Sequence, residues 1–544
     1  MELITICLIL MMAVVASSWI SRILPFGVPV PIIQIILGVF IAKSTPYEVV
    51  LDPHIFFALF IPALLFLDGW RIPKDDFFKD AGTIIELSVG LVFVTVLGLG
   101  FFIHLMIPSM PLAVSLALAA ILSPTDPVAV SAITSKVPMP KRLLHILEGE
   151  SLLNDASGLS AFRIAVAVML TGHFSLQHAA TEFAGMALGG IAAGVVVTLV
   201  IQHVQGFITR RVGEDAGSSI LVSILVPFAA YFAAEHFHFS GILAAAAAGI
   251  TWSFSETRSA IMASTRMRRN SVWDMVAFSA NGIIFVLLGE QFPKIWDGAS
   301  RAIVEAGGGH KSWLIFYAFV ITLVLLGLRF AWVWISFRFT TFRARRRGEQ
   351  MKPMNWRIPA AATAAGVRGS ITLAGIMTLP VMMNDGTPFP ARELAIFLAA
   401  GVIILTMVIA SVALPLLLKN LEIPEDDEQE RMMVAKALVA RAAIRAVEEK
   451  VHAIAEGRSD ADLYADAASN VMDVYRRRID SSGLGPDLAA QVTILTKIER
   501  ELEIHAVRAE REELFRLRKH KKLSDYGYQK LARELDFKEV KLTA

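Results

Sequence analysis

Two stretches, Ser123-Pro124-Thr125-Asp126-Pro127-Val128 and Glu148-Gly149-Glu150-Ser151-Leu152-Leu153-Asn154-Asp155, set carboxylates inside otherwise apolar sequence. A charged side chain at the bilayer centre costs about 2.5–3.5 kcal/mol even on the gentlest insertion scale, so acids kept there point to an ion or proton pathway. On a helix, Ser151 and Asp155 are four apart and share a face with Gly158 and Leu159, while Glu150 and Asn154 stack on the adjacent face. One helix thus presents a hydroxyl and a carboxylate together. Such hard oxygen ligands suit Na⁺ or Li⁺, and a carboxylate withdrawn from water is costly to leave bare, so a proton competes with the cation for it. The alternative is a polar packing seam of Ser, Asn and Gly, for which an ionisable Asp is more than packing needs.

Pro127 removes a backbone donor and Pro124 disfavours helical geometry at Ser123, which predicts an unwound segment around Thr125-Asp126. Freed backbone inside a membrane must line a cavity or touch an ion. Thr125 then offers a carbonyl or hydroxyl oxygen, and Asp126 offsets the positive ends of the broken helices. The competing reading is a proline kink capped by Asp126. Arg368 stands between Gly366 and Gly369, with Gly375 beyond, in a second interrupted segment. A buried Arg needs a carboxylate, and Glu150 is the expected partner in a structural ion pair that leaves Asp155 as the exchangeable group. Asp68 is expected at the inner end of its span, either guiding cations or simply facing water. Arg163, two turns past Asp155, is expected to find a carboxylate such as Glu86, and Arg329 to snorkel. Glu235, His236 and His238 form either a pH-sensing cluster or a solvated loop.

The elements that must position these groups are membrane helices. With 544 residues, 55% of them hydrophobic, and a mean hydropathy of +0.58, the chain reads as an all-α polytopic membrane protein. Thirteen apolar windows fall at roughly 3–20, 26–42, 54–69, 83–107, 112–134, 143–170, 181–203, 217–235, 238–252, 274–292, 312–337, 356–380 and 391–418. With the C-terminus in the cytoplasm, inner loops hold twenty Lys and Arg, among them Arg71, Lys74, Arg210, Arg266 and Arg269. The outer loops hold five, Lys43, Lys294, Arg301, Lys311 and Arg392. This predicts the N-terminus outside. If windows 1–6 and 8–13 are inverted copies, the two interrupted spans occupy corresponding positions, the pattern of a secondary-transporter site.

Residues 420–544 carry 47 of the 100 Asp, Glu, Lys and Arg, so the membrane part is expected to end near Lys419. The tail has helical periodicity, as at Met433, Ala437, Leu438, Ala440 and Ile444, and a turn at Ser481–Pro486. It predicts a soluble helical domain, either regulatory or a plain extension, whose Arg516–Lys522 run contacts anionic lipid or is only an exposed basic face. The net charge of +2 gives nucleic-acid binding no support, and Cys7 as the one cysteine leaves no internal disulfide or thiolate cluster. The run Leu3–Ile20 lacks the basic flank and cleavage site of a signal peptide and reads as a retained first span. Gly307–Ser312 misses the spacing of a phosphate loop, and no HExxH occurs, so no nucleotide, cofactor or enzymatic activity is expected.

The runs Ser123–Val130, Gly149–Asp155, Gly366–Ser370 and Phe60-Ile61-Pro62-Ala63-Leu64-Leu65-Phe66-Leu67-Asp68-Gly69-Trp70 resemble, in order, the motifs of the monovalent cation/proton antiporter-1 family, the sodium/proton exchangers. The likeness spans the membrane part and is nearest to the bacterial branch with a helical cytoplasmic tail. It implies two inverted repeats with crossed unwound helices, and Na⁺ or a proton held at Asp155 with Ser151 and Thr125. It implies further that Asn154 orients the crossing, that Asp126 is the family's Thr-Asp-Pro aspartate, and that Glu150 and Arg368 are its buried pair. It also implies a homodimer in the cell membrane, with spans 1–3 and 7–10 as dimerisation scaffold and spans 4–6 and 11–13 as the moving core. The function expected is Na⁺(Li⁺)/H⁺ antiport by alternating access for pH and sodium homeostasis. One exchangeable carboxylate makes it electroneutral, 1:1. The alternatives are a K⁺/H⁺ antiporter, a cation-coupled symporter, or a Na⁺/pH sensor acting through the tail.

Overall fold

The structure, a computed structural model, describes residues 2–24, 28–45, 53–79, 81–126, 130, 139, 141–172, 176–256, 262–305, 312–346, 355–419, 427–455, 461–482, 486–520, 522 and 525–543. These residues are nearly all helical and divide into two compact units, Met1–Leu421 and Glu422–Ala544. The first contains α1 (Glu2–Ile23), α2 (Val30–Ser44), α3 (Pro53–Arg71), α4 (Lys74–Lys79), α5 (Ala81–Met106), α6 (Leu112–Ile121), α7 (Lys141–Thr171) and α8 (Leu176–Val212). It continues with α9 (Ala216–His236), α10 (Gly241–Glu256), α11 (Ala263–Glu305), α12 (Ser312–Arg346), α13 (Arg357–Ala364), α14 (Ser370–Met377) and α15 (Arg392–Leu418).

Among the described residues, the apolar windows are largely helical, because backbone in hydrocarbon must satisfy its own hydrogen bonds, with non-helical stretches at 122–126 and 365–369. Among the described residues, α1, α5, α7, α8, α9, α11, α12 and α15 are long and apolar enough to cross a membrane, and α2, α6 and α10 are shorter apolar helices. Local signals set their ends. Pro31 occupies the first turn of α2, where no amide donor is missed. Asp215 caps α9 by accepting from the Ser218 amide at 2.8 Å. Pro127, the second breaker of the Thr125-Asp126 segment, lies outside the described residues, as do Gly307–Lys311 and the centre of the 481–486 turn.

Helices α1–α3 pack chiefly with α8–α11, and α5–α7 chiefly with α12–α15, giving two groups that meet along a seam. Within the first group α2 and α11 touch backbone to backbone. A Cβ on Gly38 would stand 2.0 Å from the Val286 carbonyl oxygen, and one on Gly289 2.0 Å from that of Ile35. Arg269, expected in an inner loop, instead lies fully buried, because α11 begins at Ala263 rather than near residue 274. Its guanidinium sits 5.2 Å from the Trp70 ring and 5.8 Å from that of Trp252. Trp273 completes this cluster, stacking on Phe66 and donating to the Ser223 hydroxyl at 3.1 Å.

The second unit holds α16 (Asp427–Ala455) packed on α17 (Ala461–Ser482), and α18 (Pro486–Lys519) packed on α19 (Asp525–Thr543). Arg511 of α18 bridges Asp536 and Glu539 of α19, and Lys538 reaches back to Glu510 at 3.1 Å. Within the basic run, Arg516 pairs with Glu513 at 2.8 Å and Arg518 lies over the Tyr528 ring.

Candidate ion-binding site

Helix α6 stops at Ile121, the Ser123 amide makes a last tight-turn bond to the Ala120 carbonyl, and Pro124–Asp126 run without helical hydrogen bonding. Helix α13 stops at Ala364, Gly366–Gly369 are likewise unwound, and α14 resumes at Ser370. The two interruptions are joined directly, since the Asp126 amide donates to the Val367 carbonyl at 2.8 Å. Arg368 closes the same crossing: its Nε donates to the Leu122 carbonyl at 2.7 Å, a guanidinium nitrogen donates to the Gly366 carbonyl, and its amide donates to Thr406 Oγ1 at 3.2 Å. A cation therefore covers the carbonyl-rich ends of both broken helices, where the backbone dipoles concentrate negative charge. The Asp126 carboxylate lies on the other side, against Gly369 at the start of α14. A Cβ at Gly369 would stand 1.7 Å from Asp126 Oδ2, so only glycine admits the contact.

Helix α7 supplies the facing wall. Ser151 donates to the Thr125 carbonyl at 2.5 Å, and Asn154 Nδ2 donates to Thr125 Oγ1 at 3.0 Å. Thr125 is thereby fixed twice, while its carbonyl and the Ser151 oxygen keep free lone pairs. Asp155 is 2% exposed, and its Oδ1 has no hydrogen-bond partner among the described residues. It borders a small cavity of about 20 Å³. Holding one water takes roughly 10–15 Å³ on that measure, so the space matches one water or one bare monovalent cation. Thr125, Asp126, Ser151, Ser370 and Thr372 line it from the second helix group, Leu64, Asp68 and Asn281 from the first. The cavity thus lies on the seam.

The pairing expected for Glu150 is corrected by the structure. Glu150 receives two hydrogen bonds from Arg329, at 2.5 and 2.9 Å, with both side chains 1% exposed, and not from Arg368. Arg368 is occupied by the carbonyls that the interruptions release, whereas Arg329 on α12 has a carboxylate within bidentate reach. Arg329 accordingly does not snorkel. Its Nε also donates to the Ala362 carbonyl at 3.3 Å. Arg163 pairs with Glu235 at 3.5 Å rather than with Glu86, so the histidine-flanked acid at the α9–α10 hairpin is tied to α7; Glu235 also accepts from the Gly241 amide. Asp68 stands in the last turn of α3, as expected, and from there borders the cavity. Asn281 escaped the sequence reading because a single amide in an apolar window carries no spacing signal.

Two interrupted helices crossing beside a buried carboxylate, within a bundle of apolar helices, define a secondary ion transporter. The chain belongs to the sodium/hydrogen exchanger family: the model of the sodium/hydrogen exchanger transmembrane region matches residues 8–420. It is therefore a multi-pass membrane protein of the cation/proton antiporters and not an enzyme. It is 39% identical to YjcE, an uncharacterized Na⁺/H⁺ exchanger of Escherichia coli (strain K12), over all of this chain and 99% of that one. It is 38% identical to a sodium, potassium, lithium and rubidium/H⁺ antiporter of Bacillus pumilus, over 98% of this chain and 78% of the relative. The sodium proton antiporter MjNhaP1 from Methanocaldococcus jannaschii shares the fold, with a TM-score of 0.57 at 17% identity, covering 77% of this chain and 99% of that structure.

Proposed function

We propose that the protein exchanges Na⁺ or Li⁺ for H⁺ by alternating access, with Asp155 holding either a cation or a proton. The observation that carries this reading is the unpartnered Asp155 oxygen bordering a cavity of one-ion size, beside Ser151 and the Thr125 carbonyl. In this reading Asp155, Ser151 and Thr125 ligate Na⁺, Asn154 orients Thr125, Asp126 balances the start of α14, and Asp68 admits cations to the cavity. One exchangeable carboxylate makes the cycle electroneutral, one Na⁺ for one H⁺. The group of α1–α3 and α8–α11 is the scaffold of a homodimer, and the other group moves against it. The chain crosses the cell membrane thirteen times with its tail in the cytoplasm, and it serves pH and sodium homeostasis.

A second reading adds K⁺, and it is favoured by the 38% identical Bacillus pumilus relative whose name includes potassium and rubidium. A dye-reported pH-gradient assay in vesicles tests both, with Na⁺, Li⁺ or K⁺ added in turn to the parent and to Asp155→Asn. Exchange is expected for the parent with Na⁺ and Li⁺ and is expected to vanish in the variant. Retained exchange in Asp155→Asn would remove the central assignment, and a K⁺ response equal to that of Na⁺ would select the broader reading. A transport current that follows voltage would rule out one-for-one exchange.

A further inference from the structure

We infer that Asn281 is a specificity-determining ligand of the transported cation, presented to the site from across the seam. This rests on Asp155 being the exchange site. Asn281 borders the same small cavity as Asp155, yet it stands on α11, which packs chiefly with α1–α3, whereas Asp155 stands on α7 in the other group. The α11 backbone on either side of it is packed: Ala280 is buried, and Gly282 lies against Val14 and Gln34 so closely that a Cβ would meet Val14 at 2.5 Å. The Asn281 side chain is half-buried, and no hydrogen bond holds it to a described residue. A polar group at a cavity wall that no protein group engages is available to whatever fills the cavity.

The chemistry of the other walls says why an amide is useful there. Asp68, Asp126 and Asp155 are the acidic groups of the cavity, and ionised carboxylates only accept. An amide accepts through Oδ1 when a cation is bound and donates through Nδ2 when a carboxylate must be satisfied, so it serves both occupants without adding charge. It also supplies a neutral oxygen of lower field strength than a carboxylate, which sets how strongly the site favours small cations over larger ones. Because Asn281 and Asp155 stand on different helix groups, the proposed movement of one group against the other changes their separation and leaves Ser151 and Thr125 beside Asp155.

Initial exchange rates against Na⁺, Li⁺ and K⁺ concentration test the assignment, using vesicles that contain the full-length parent, Asn281→Ala, Asn281→Asp or Asp155→Asn. Asn281→Ala is expected to raise the apparent KM for Na⁺ about five- to tenfold, the scale of one lost polar contact, with the maximal rate changed less than about twofold. Asn281→Asp is expected to lower the KM for Li⁺ and Na⁺ relative to K⁺ by about threefold or more, through its higher field strength. An unchanged KM and unchanged ion ratios in both variants would overturn the assignment. So would a fall in maximal rate and folded protein at unaltered KM, which marks a packing role. If Asn281→Ala does not accumulate, Asn281→Ser, which keeps an oxygen at shorter reach, replaces it with the same criteria. Exchange retained in Asp155→Asn would instead defeat the underlying reading, so the two failures are distinct.

Discussion

Removing Arg329 probes the buried charge layout most directly. Its guanidinium gives Glu150 two hydrogen bonds inside the membrane unit, and neither side chain reaches solvent. Arg329→Met keeps much of the volume but leaves the Glu150 carboxylate buried and uncompensated, at a cost of about 3–5 kcal/mol. Adding Glu150→Gln removes that charge, so the double variant is expected to recover to within about 1–2 kcal/mol of the parent; since Glu150→Gln alone strands the buried Arg329, the coupling is at least about 2 kcal/mol. A parallel cycle pairs Glu150→Gln with Arg368→Met. Arg368 spends its donors on the Leu122 and Gly366 carbonyls and makes no direct ion pair with a described residue, so its coupling to Glu150, acting only through space, is expected to be smaller than that of Arg329. Equilibrium unfolding of the purified variants in mixed micelles measures both cycles. A Glu150–Arg368 coupling equal to or above the Glu150–Arg329 coupling would refute the layout.

Two further outcomes are expected. Gly369→Ala places a methyl group 1.7 Å from Asp126 Oδ2, so either Asp126 or the start of α14 must shift. Exchange is expected to fall at least about tenfold with the amount in the membrane little changed, and an undiminished rate would refute the contact. At the surface, the Ser218 amide and hydroxyl hold the Asp215 carboxyl below its ordinary range. A carboxyl depressed in the folded state stabilises above its unfolded value, so the cap of α9 is expected to be complete at neutral pH and lost as pH falls through the folded value. Protection of the 216–219 amides against hydrogen exchange reports this. In Asp215→Ala the pH dependence is expected to disappear, and its persistence there would place the titration elsewhere.

The helices and the crossing were legible because they rest on local physics. Apolar runs of about twenty residues must be helical in hydrocarbon, and the breakers Pro124, Gly366 and Gly369 interrupt them where the structure does. The shared face of Ser151 and Asp155 follows from spacing alone. The partners of Glu150 and Arg163 were not legible, because they depend on which of several distant helices supplies the nearest opposite charge. Arg329 lies 179 residues from Glu150, and no periodicity distinguishes it from Arg368. Hydropathy also misplaced the start of α11. Arg266, Arg268 and Arg269 mark a loop on a residue scale, but Arg269 is covered by the faces of Trp70 and Trp252, and the helix runs through it.

The exchange of arginines between roles bears on the proposed stoichiometry. Had Arg368 neutralised Glu150, the carbonyl ends of the two broken helices would lack a cation and the charge of Arg329 would need another acid. With Arg329 on Glu150, Arg368 holds the helix ends and Asp126 faces the start of α14. On the proposed reading, in which Asp126 is ionised and Asp68 carries no charge through the cycle, the two arginines balance Glu150 and Asp126, and Asp155 decides the net charge of the buried crossing. That charge is zero with one Na⁺ or one proton bound and −1 with neither. Exposing a bare buried carboxylate to hydrocarbon costs several kcal/mol, so an empty site resists crossing between the two sides, while either loaded form is free of that penalty. Tight coupling and a 1:1 ratio then share one cause, and Asp126→Asn separates them: it leaves a surplus positive charge at the crossing, which is expected to let the empty form cross and to produce proton leak without Na⁺.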